Sequence, residues 1–123
     1  MNVLLVEDEE RIAAFMAKGL RRGSHHVEVI GEGLPAVGAL AEPDCQHDVV
    51  VLDLGLPDID GLEVLRRIRA YGSAVPAIIV TARSGVADQL RASELGVSDY
   101  LVKPFPLTLL LASLARLTET PSP

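Results

Sequence analysis

Val49-Val50-Val51-Leu52-Asp53-Leu54-Gly55-Leu56-Pro57-Asp58-Ile59-Asp60-Gly61 is the stretch whose reading decides the fold. Its four opening apolar residues make a strand buried on both faces, as in a parallel sheet covered by helices. Asp53 then places a carboxylate where the strand leaves the core. Gly55, Pro57 and Gly61 punctuate a turn, and the spacing of Asp60 and Glu63 predicts a capping box that opens a helix. Open α/β sheets carry their chemistry at the carboxyl ends of their strands. Asp53 is therefore either a functional carboxylate or the cap of a turn, and the rest of the chain must decide between the two.

Outward from this stretch, apolar runs alternate with helical patterns. Residues 3–6 read as a short buried strand, 27–30 as a weaker and more exposed one, 77–81 as a strand introduced by Pro76, and 98–102 as a fifth. Between them, Ile12, Phe15, Met16, Gly19 and Leu20 recur on one helical face that Gly23 ends. Leu34, Val37, Leu40 and Ala41 give a short helix stopped by Pro43, and Val64, Leu65 and Ile68 a third that closes at Gly72. Residues 85–95 form a weakly amphipathic fourth helix, and 107–117 a last one with Pro106 near its first turn. Five strand–helix alternations predict a doubly wound α/β fold, a five-stranded parallel sheet with right-handed crossovers. Residues 1–117 form one domain, and 118–123 read as the start of a linker or tail that a second domain could follow.

The chain of 123 residues is 49% hydrophobic and 23% charged, an ordinary globular composition. Aromatics make up only 3%, so the core is built from Val, Ile, Leu and Ala. A net charge of −6 argues against this domain gripping nucleic acid or an anionic membrane by itself. No run approaches the roughly 20 apolar residues of a membrane span. The single Cys45 suits a reducing compartment, and a cytoplasmic location is expected.

Compared side by side, the strand ends carry complementary groups: Glu7-Asp8 after the first, Asp53 after the third, Thr81 at the fourth and Lys103 after the fifth. Three carboxylates at one edge repel each other unless a cation lies between them, and an oxygen-only set favours Mg²⁺. Lys103 supplies a charge and Thr81 a hydroxyl for phosphoryl oxygens. Taken singly, each has a plainer reading: Asp8 as a helix cap, Glu7 and Lys103 as surface charges, Thr81 as a strand residue. Together they describe a metal-assisted phosphoryl acceptor with Asp53 as nucleophile. Asp58 and Asp60 read as turn and cap residues, and His25, His26 and His47 show no metal-site spacing.

These residues, with Val6-Glu7-Asp8-Glu9, residues 51–61, Thr81-Ala82 and Gly96-Val97-Ser98-Asp99-Tyr100-Leu101-Val102-Lys103-Pro104-Phe105, resemble the receiver domain of a bacterial two-component response regulator. The wording around Glu7-Asp8 and residues 52–65 is most similar to regulators with a winged-helix DNA-binding output domain. The resemblance implies a flavodoxin-like strand order 2-1-3-4-5. It implies that Asp53 takes the phosphoryl group from a histidine kinase or phosphotransfer protein. Mg²⁺ would be held by Asp8, Asp53 and the Gly55 carbonyl, with Glu7 acting through water. Lys103 would pair with the phosphoryl group, and Thr81 and Tyr100 would form the switch. Such a domain catalyses its own phosphorylation and slow dephosphorylation rather than acting as a conventional enzyme. A cis Lys103–Pro104 bond is also implied.

Two other classes remain open. An aspartyl-phosphate hydrolase needs an acid or base where this chain has Gly55, and a plain interaction module would work without phosphorylation. The resemblance further implies a dimer face within residues 85–117, threaded with ion pairs. This chain departs from that pattern at Val97-Ser98, Leu109-Leu110, Ser113 and Ala115, leaving Asp99, Arg91 and Arg116. The expectation is an apolar contact centred near Leu109, which falls outside the stripe of Leu107, Leu110, Leu111, Leu114 and Leu117. The alternative is that Leu109 packs under the Phe105 loop of a monomer.

Overall fold

The structure, a computed structural model, describes residues 1–119. The expected tail of residues 118–123 therefore lies largely outside the described residues. Strands β1 (Asn2–Val6), β2 (His26–Ile30), β3 (Val49–Leu52), β4 (Ala77–Thr81) and β5 (Asp99–Val102) alternate with helices α1 (Glu10–Arg22), α2 (Gly33–Ala41), α3 (Gly61–Ala70), α4 (Val86–Glu94) and α5 (Leu107–Leu117). All neighbouring strands pair in parallel, in the order β2-β1-β3-β4-β5. This is the doubly wound sheet that the alternation predicts.

Strand pleating divides the core between the two faces of the sheet. Val3, Leu5, Val49, Val51, Ile78 and Val80 pack with α1 and α5, through Met16, Leu20, Leu110 and Leu114. Leu4, Val6, Val50, Leu52 and Ile79 turn the other way, against α2 and α3, with Ala92 of α4. The central strands are buried on both faces, and β2 at the edge is mostly exposed.

Three expectations change. Phe15 lies outside the buried stripe of α1 and is 66% exposed. The buried positions are Ala13, Met16, Ala17 and Leu20, and a residue next to Met16 is turned about 100° from it. Leu34 is likewise exposed, because Gly33 takes the buried position at the start of α2. A Cβ on Gly33 would come within 2.7 Å of Ile59 and 2.8 Å of Val64, so the helix approaches the loop after β3 more closely than a side chain allows. The capping box forms by half. Asp60 Oδ1 accepts from the Leu62 N–H at 2.8 Å, but Glu63 turns away to bind Arg66 and Arg67. Those two cations hold the Glu63 carboxyl down at about 2. At the other end of α1, Gly23 has an ordinary φ of −81°, and it is Ser24 that takes the left-handed conformation.

Asp58 is the cap that α2 lacks. Its carboxylate accepts from the N–H groups of Gly33 and Leu34, both at 2.7 Å, and these bonds hold its carboxyl below the usual range. Pro35 has no N–H to satisfy, so the first turn of α2 is closed.

Gly61 is the tightest point of the loop after β3. A Cβ there would meet the Asp53 carbonyl oxygen at 2.3 Å and the Leu54 Cα at 2.7 Å. These are backbone atoms that cannot step aside. Gly61→Ala is expected to destabilise the chain by about 1–3 kcal/mol or more. Gly38→Ala, in open space on α2, is expected to stabilise it by about 0.5–1 kcal/mol. Urea unfolding of both variants checks the pair.

Candidate functional site

A parallel sheet delivers every strand's carboxyl end to one edge. There the sequence-predicted residues meet. The Lys103 ammonium lies 2.6 Å from Glu7 Oε2 and 3.1 Å from Asp53 Oδ2. The other Asp53 oxygen accepts the Gly55 N–H at 3.2 Å, so Asp53 caps its turn and meets Lys103 at once. Asp53 is 7% exposed and Glu7 2%, which removes the surface-charge reading of Glu7. Thr81 is buried at the end of β4. The Lys103–Pro104 bond is cis, as expected.

Asp8 is exposed and does not cap α1: the residue at the cap position is Glu9, which makes no side-chain cap bond. Among the described residues, Glu7, Asp8 and Asp53 can bring one carboxylate oxygen each within 4.8 Å of one another. Three hard oxygen donors, one of them open to water, fit a divalent cation of the Mg²⁺ kind.

Electrostatics set the three clustered charges apart. Burial opposes ionisation of Asp53, yet the Gly55 N–H, the Lys103 ammonium and the Thr81 hydroxyl outweigh it and hold the carboxyl below its usual range. Glu7 moves the other way: burial and the nearby Asp53 push it up against the pull of Lys103. Burial would lower Lys103, but its bonds to Glu7 and Asp53 raise it.

Tyr100 lies beside this group rather than in it, and its hydroxyl donates to the Arg83 carbonyl at 2.7 Å. His47 stands between Cys45 Sγ at 3.6 Å and Glu28 at 3.1 Å, neighbours that sequence spacing did not suggest, in the loop that enters β3 and away from the strand ends. Arg83, absent from the sequence reading, binds Asp60 and Asp88. Asp60 is 23 residues away and Asp88 lies across the turn into α4, and only the position of Arg83 two residues after Thr81 hinted at a role.

Comparison with known proteins agrees with this geometry. The family described as "Response regulator receiver domain" matches residues 3–115. The chain belongs to the response regulator receiver domain family. The transcriptional regulatory protein TcrA of Mycobacterium tuberculosis is 40% identical over 97% of this chain and 46% of its own length. CutR of Streptomyces coelicolor, also a transcriptional regulatory protein, is 40% identical over 100% of this chain and 57% of its own length. The chain thus spans about half the length of the curated relatives it matches.

Among solved structures, the non-phosphorylated receiver domain of HemR from Leptospira biflexa superposes with a TM-score of 0.87 at 33% identity, covering 99% of this chain and 97% of that one. The receiver domain of the sensor histidine kinase PA1611 from Pseudomonas aeruginosa superposes at 0.83 with 32% identity, over 94% and 95%. That structure has a magnesium ion coordinated in its active-site cleft.

A pH prediction follows from the charge arrangement of this receiver. The depressed folded value of Asp53 makes its contribution to stability present above the unfolded value and lost as pH falls through the folded one. Glu7, raised, contributes fully below its unfolded value and loses that contribution as pH rises through the folded one. Lys103→Gln is expected to move the Asp53 titration to higher pH and to shrink the acid-side stability that Asp53 supplies. Carboxyl ¹³C NMR titration with urea unfolding across the acid range checks this. An unmoved Asp53 would assign its low value to the Gly55 N–H instead.

Proposed function

We propose that this chain is a phosphorylation-dependent signalling switch, with Asp53 accepting a phosphoryl group from a histidine kinase or phosphotransfer protein. The observation that carries this reading is a buried, anionic Asp53 that shares the Lys103 ammonium with Glu7 beside Asp8. An Asp53 oxygen forms the P–O bond as the donor's P–N bond breaks, and the electron pair leaves on the donor imidazole. Lys103 then turns from the carboxylates toward the phosphoryl oxygens. Asp8, Asp53 and the Gly55 carbonyl would hold Mg²⁺, with Glu7 acting through water, and the ion would neutralise charge between carboxylate and phosphoryl group. Thr81 and Tyr100 answer the new charge.

The donor side is supported by an apolar patch beside the acceptor. Exposed Phe15 on α1 lines one shallow pocket with Ile12, Met16, Pro104 and Phe105, next to Lys103. The output side is supported by the α4–β5–α5 face. Val86, Leu90, Val102 and Leu109 are exposed there, Leu109 at 44%, so it does not pack under the Phe105 loop. Asp99 already accepts from Ser113 Oγ and from Arg116 at 2.7 Å within its own chain. Its charge is satisfied before any partner arrives, and a second copy of this chain would meet the face through apolar contact. The further reading is control of a winged-helix transcription-regulating domain in a cytoplasmic protein. Among the described residues no helix is long and apolar enough to cross a membrane.

Asp53→Asn is expected to abolish labelling by phosphoramidate in the presence of Mg²⁺ while leaving the fold intact, and chelation by EDTA to abolish labelling of the parent chain. Mass spectrometry that maps the phosphoryl group to Asp58 or Asp60 would overturn the assignment. Rapid turnover would mark a hydrolase, and no labelling a module that works without phosphorylation.

The dimer face has its own test, sedimentation of the beryllofluoride-bound chain. An apolar contact persists at high ionic strength, because burying one leucine contributes about 1.5–3 kcal/mol against about 0–1 for an exposed ion pair. Leu109→Glu should abolish it. Association that dissolves in salt yet survives that substitution would rule the apolar face out.

A further inference from the structure

Three parts of the site meet at a residue outside the reacting cluster. Arg83 lies two positions after Thr81, in the loop between β4 and α4. Its N–H donates to Thr81 Oγ1 at 3.3 Å, and its carbonyl accepts from the Tyr100 hydroxyl at 2.7 Å. Its guanidinium grips two carboxylates. Nε and Nη2 donate to the two oxygens of Asp88 at 3.0 and 2.9 Å, and Nη1 donates to Asp60. Asp88 belongs to the first turn of α4, and Asp60 is the cap of α3.

Of the elements so joined, α3 is anchored by Leu62, Val64, Leu65 and Ile68, but α4 has little else to hold it. α4 buries only Ala92, and the residue at its amino end makes no side-chain cap bond. The Arg83–Asp88 fork is therefore a main tether of that end. A planar guanidinium between two carboxylates fixes an orientation that a lysine's point charge would not. With the side chain fixed, the Arg83 backbone keeps one position, and that backbone is what Thr81 and Tyr100 touch.

We propose that Arg83 is the positioning residue of this switch: its clamp between Asp60 and Asp88 holds the β4–α4 loop so that Thr81 and Tyr100 take their places together, and opening the clamp frees both, along with the start of α4. The consequence for phosphoryl binding rests on the acceptor role of Asp53. The clamp itself does not, and the experiment keeps the two apart.

The first measurement uses the chain with no phosphoryl mimic: NMR of the Tyr100 ring and the exchange rate of its hydroxyl proton, in Arg83→Gln, Asp88→Asn and the double variant. Each single variant is expected to shift the Tyr100 signals, and the double to add little, because both remove one contact. Arg83→Lys should recover part of the shift. Asp60→Asn keeps a capping oxygen for α3 while weakening the clamp, and should give a smaller shift in the same direction. High salt should move the parent chain toward the variants, since these groups are partly open to solvent.

The second measurement is beryllofluoride affinity with Mg²⁺. It is expected to fall about three- to tenfold in Arg83→Gln and Asp88→Asn, because the arrangement that binds is populated less. Tyr100 signals unchanged in Arg83→Gln, or fully additive shifts in the double variant, would overturn the proposal. If the parent chain itself fails to bind beryllofluoride, the acceptor reading falls, and the Tyr100 signals still decide the clamp.

Discussion

One ammonium group satisfies two buried carboxylates at the edge of an apolar sheet, and most of the site is arranged around that fact. Lys103 reaches Glu7 and Asp53 because β5 ends beside β4, and β4 beside β3. Without it, two negative charges would stand close together on the rim of a core of valine, leucine and isoleucine. Removing one partner of a buried pair leaves the other uncompensated, which costs more than the pair contributes. The same cluster is thus poised for an incoming group. A second source of positive charge could take over the carboxylates and release the lysine to meet new oxygens.

The fold was legible because the central strands are continuous apolar runs and the helices between them have clear stops. Residues 49–52 read directly as a strand buried on both faces and 77–81 as a strand, and both are buried throughout. The site was legible for the same reason. Its members are the residues at which those runs end, so locating the strands located Asp53, Thr81 and Lys103. What failed needed three-dimensional detail. Phe15 and Leu34 each sit one residue off a buried stripe, and a periodicity of 3.6 blurs at that margin. Glu63 matched the capping-box spacing but had two arginines within reach on its own helix. Arg83 gave almost no signal, because its two acidic partners reach it only when α3 and α4 are both in place.

The helices are unequally held against the sheet. α1 and α5 cover one face, with Met16, Leu20, Leu110 and Leu114 fully or nearly buried. On the other face α4 contributes one buried alanine, while its outer surface presents Val86 and Leu90. Local stability follows buried apolar contact, so the element with least of it is the first to shift when charges at the strand ends change. The placement is economical: the loosest helix is attached directly to the loop that follows Thr81. The neighbouring Asp99–Ser113–Arg116 group, by contrast, ties β5 to α5 and keeps that part of the surface in register.

Asp58 gives the loop after Asp53 a second allegiance. Its carboxylate supplies the first turn of α2, a helix that begins 25 residues earlier in the chain and brings no cap of its own. The amino end of α2 cannot fray without giving up bonds to that loop, nor can the loop lift away without uncovering two amide protons on α2. The two segments therefore breathe as a single cooperative unit. In hydrogen exchange, the amides of Gly33 and Leu34 become reporters of the loop after Asp53, read from a helix that precedes it in the chain.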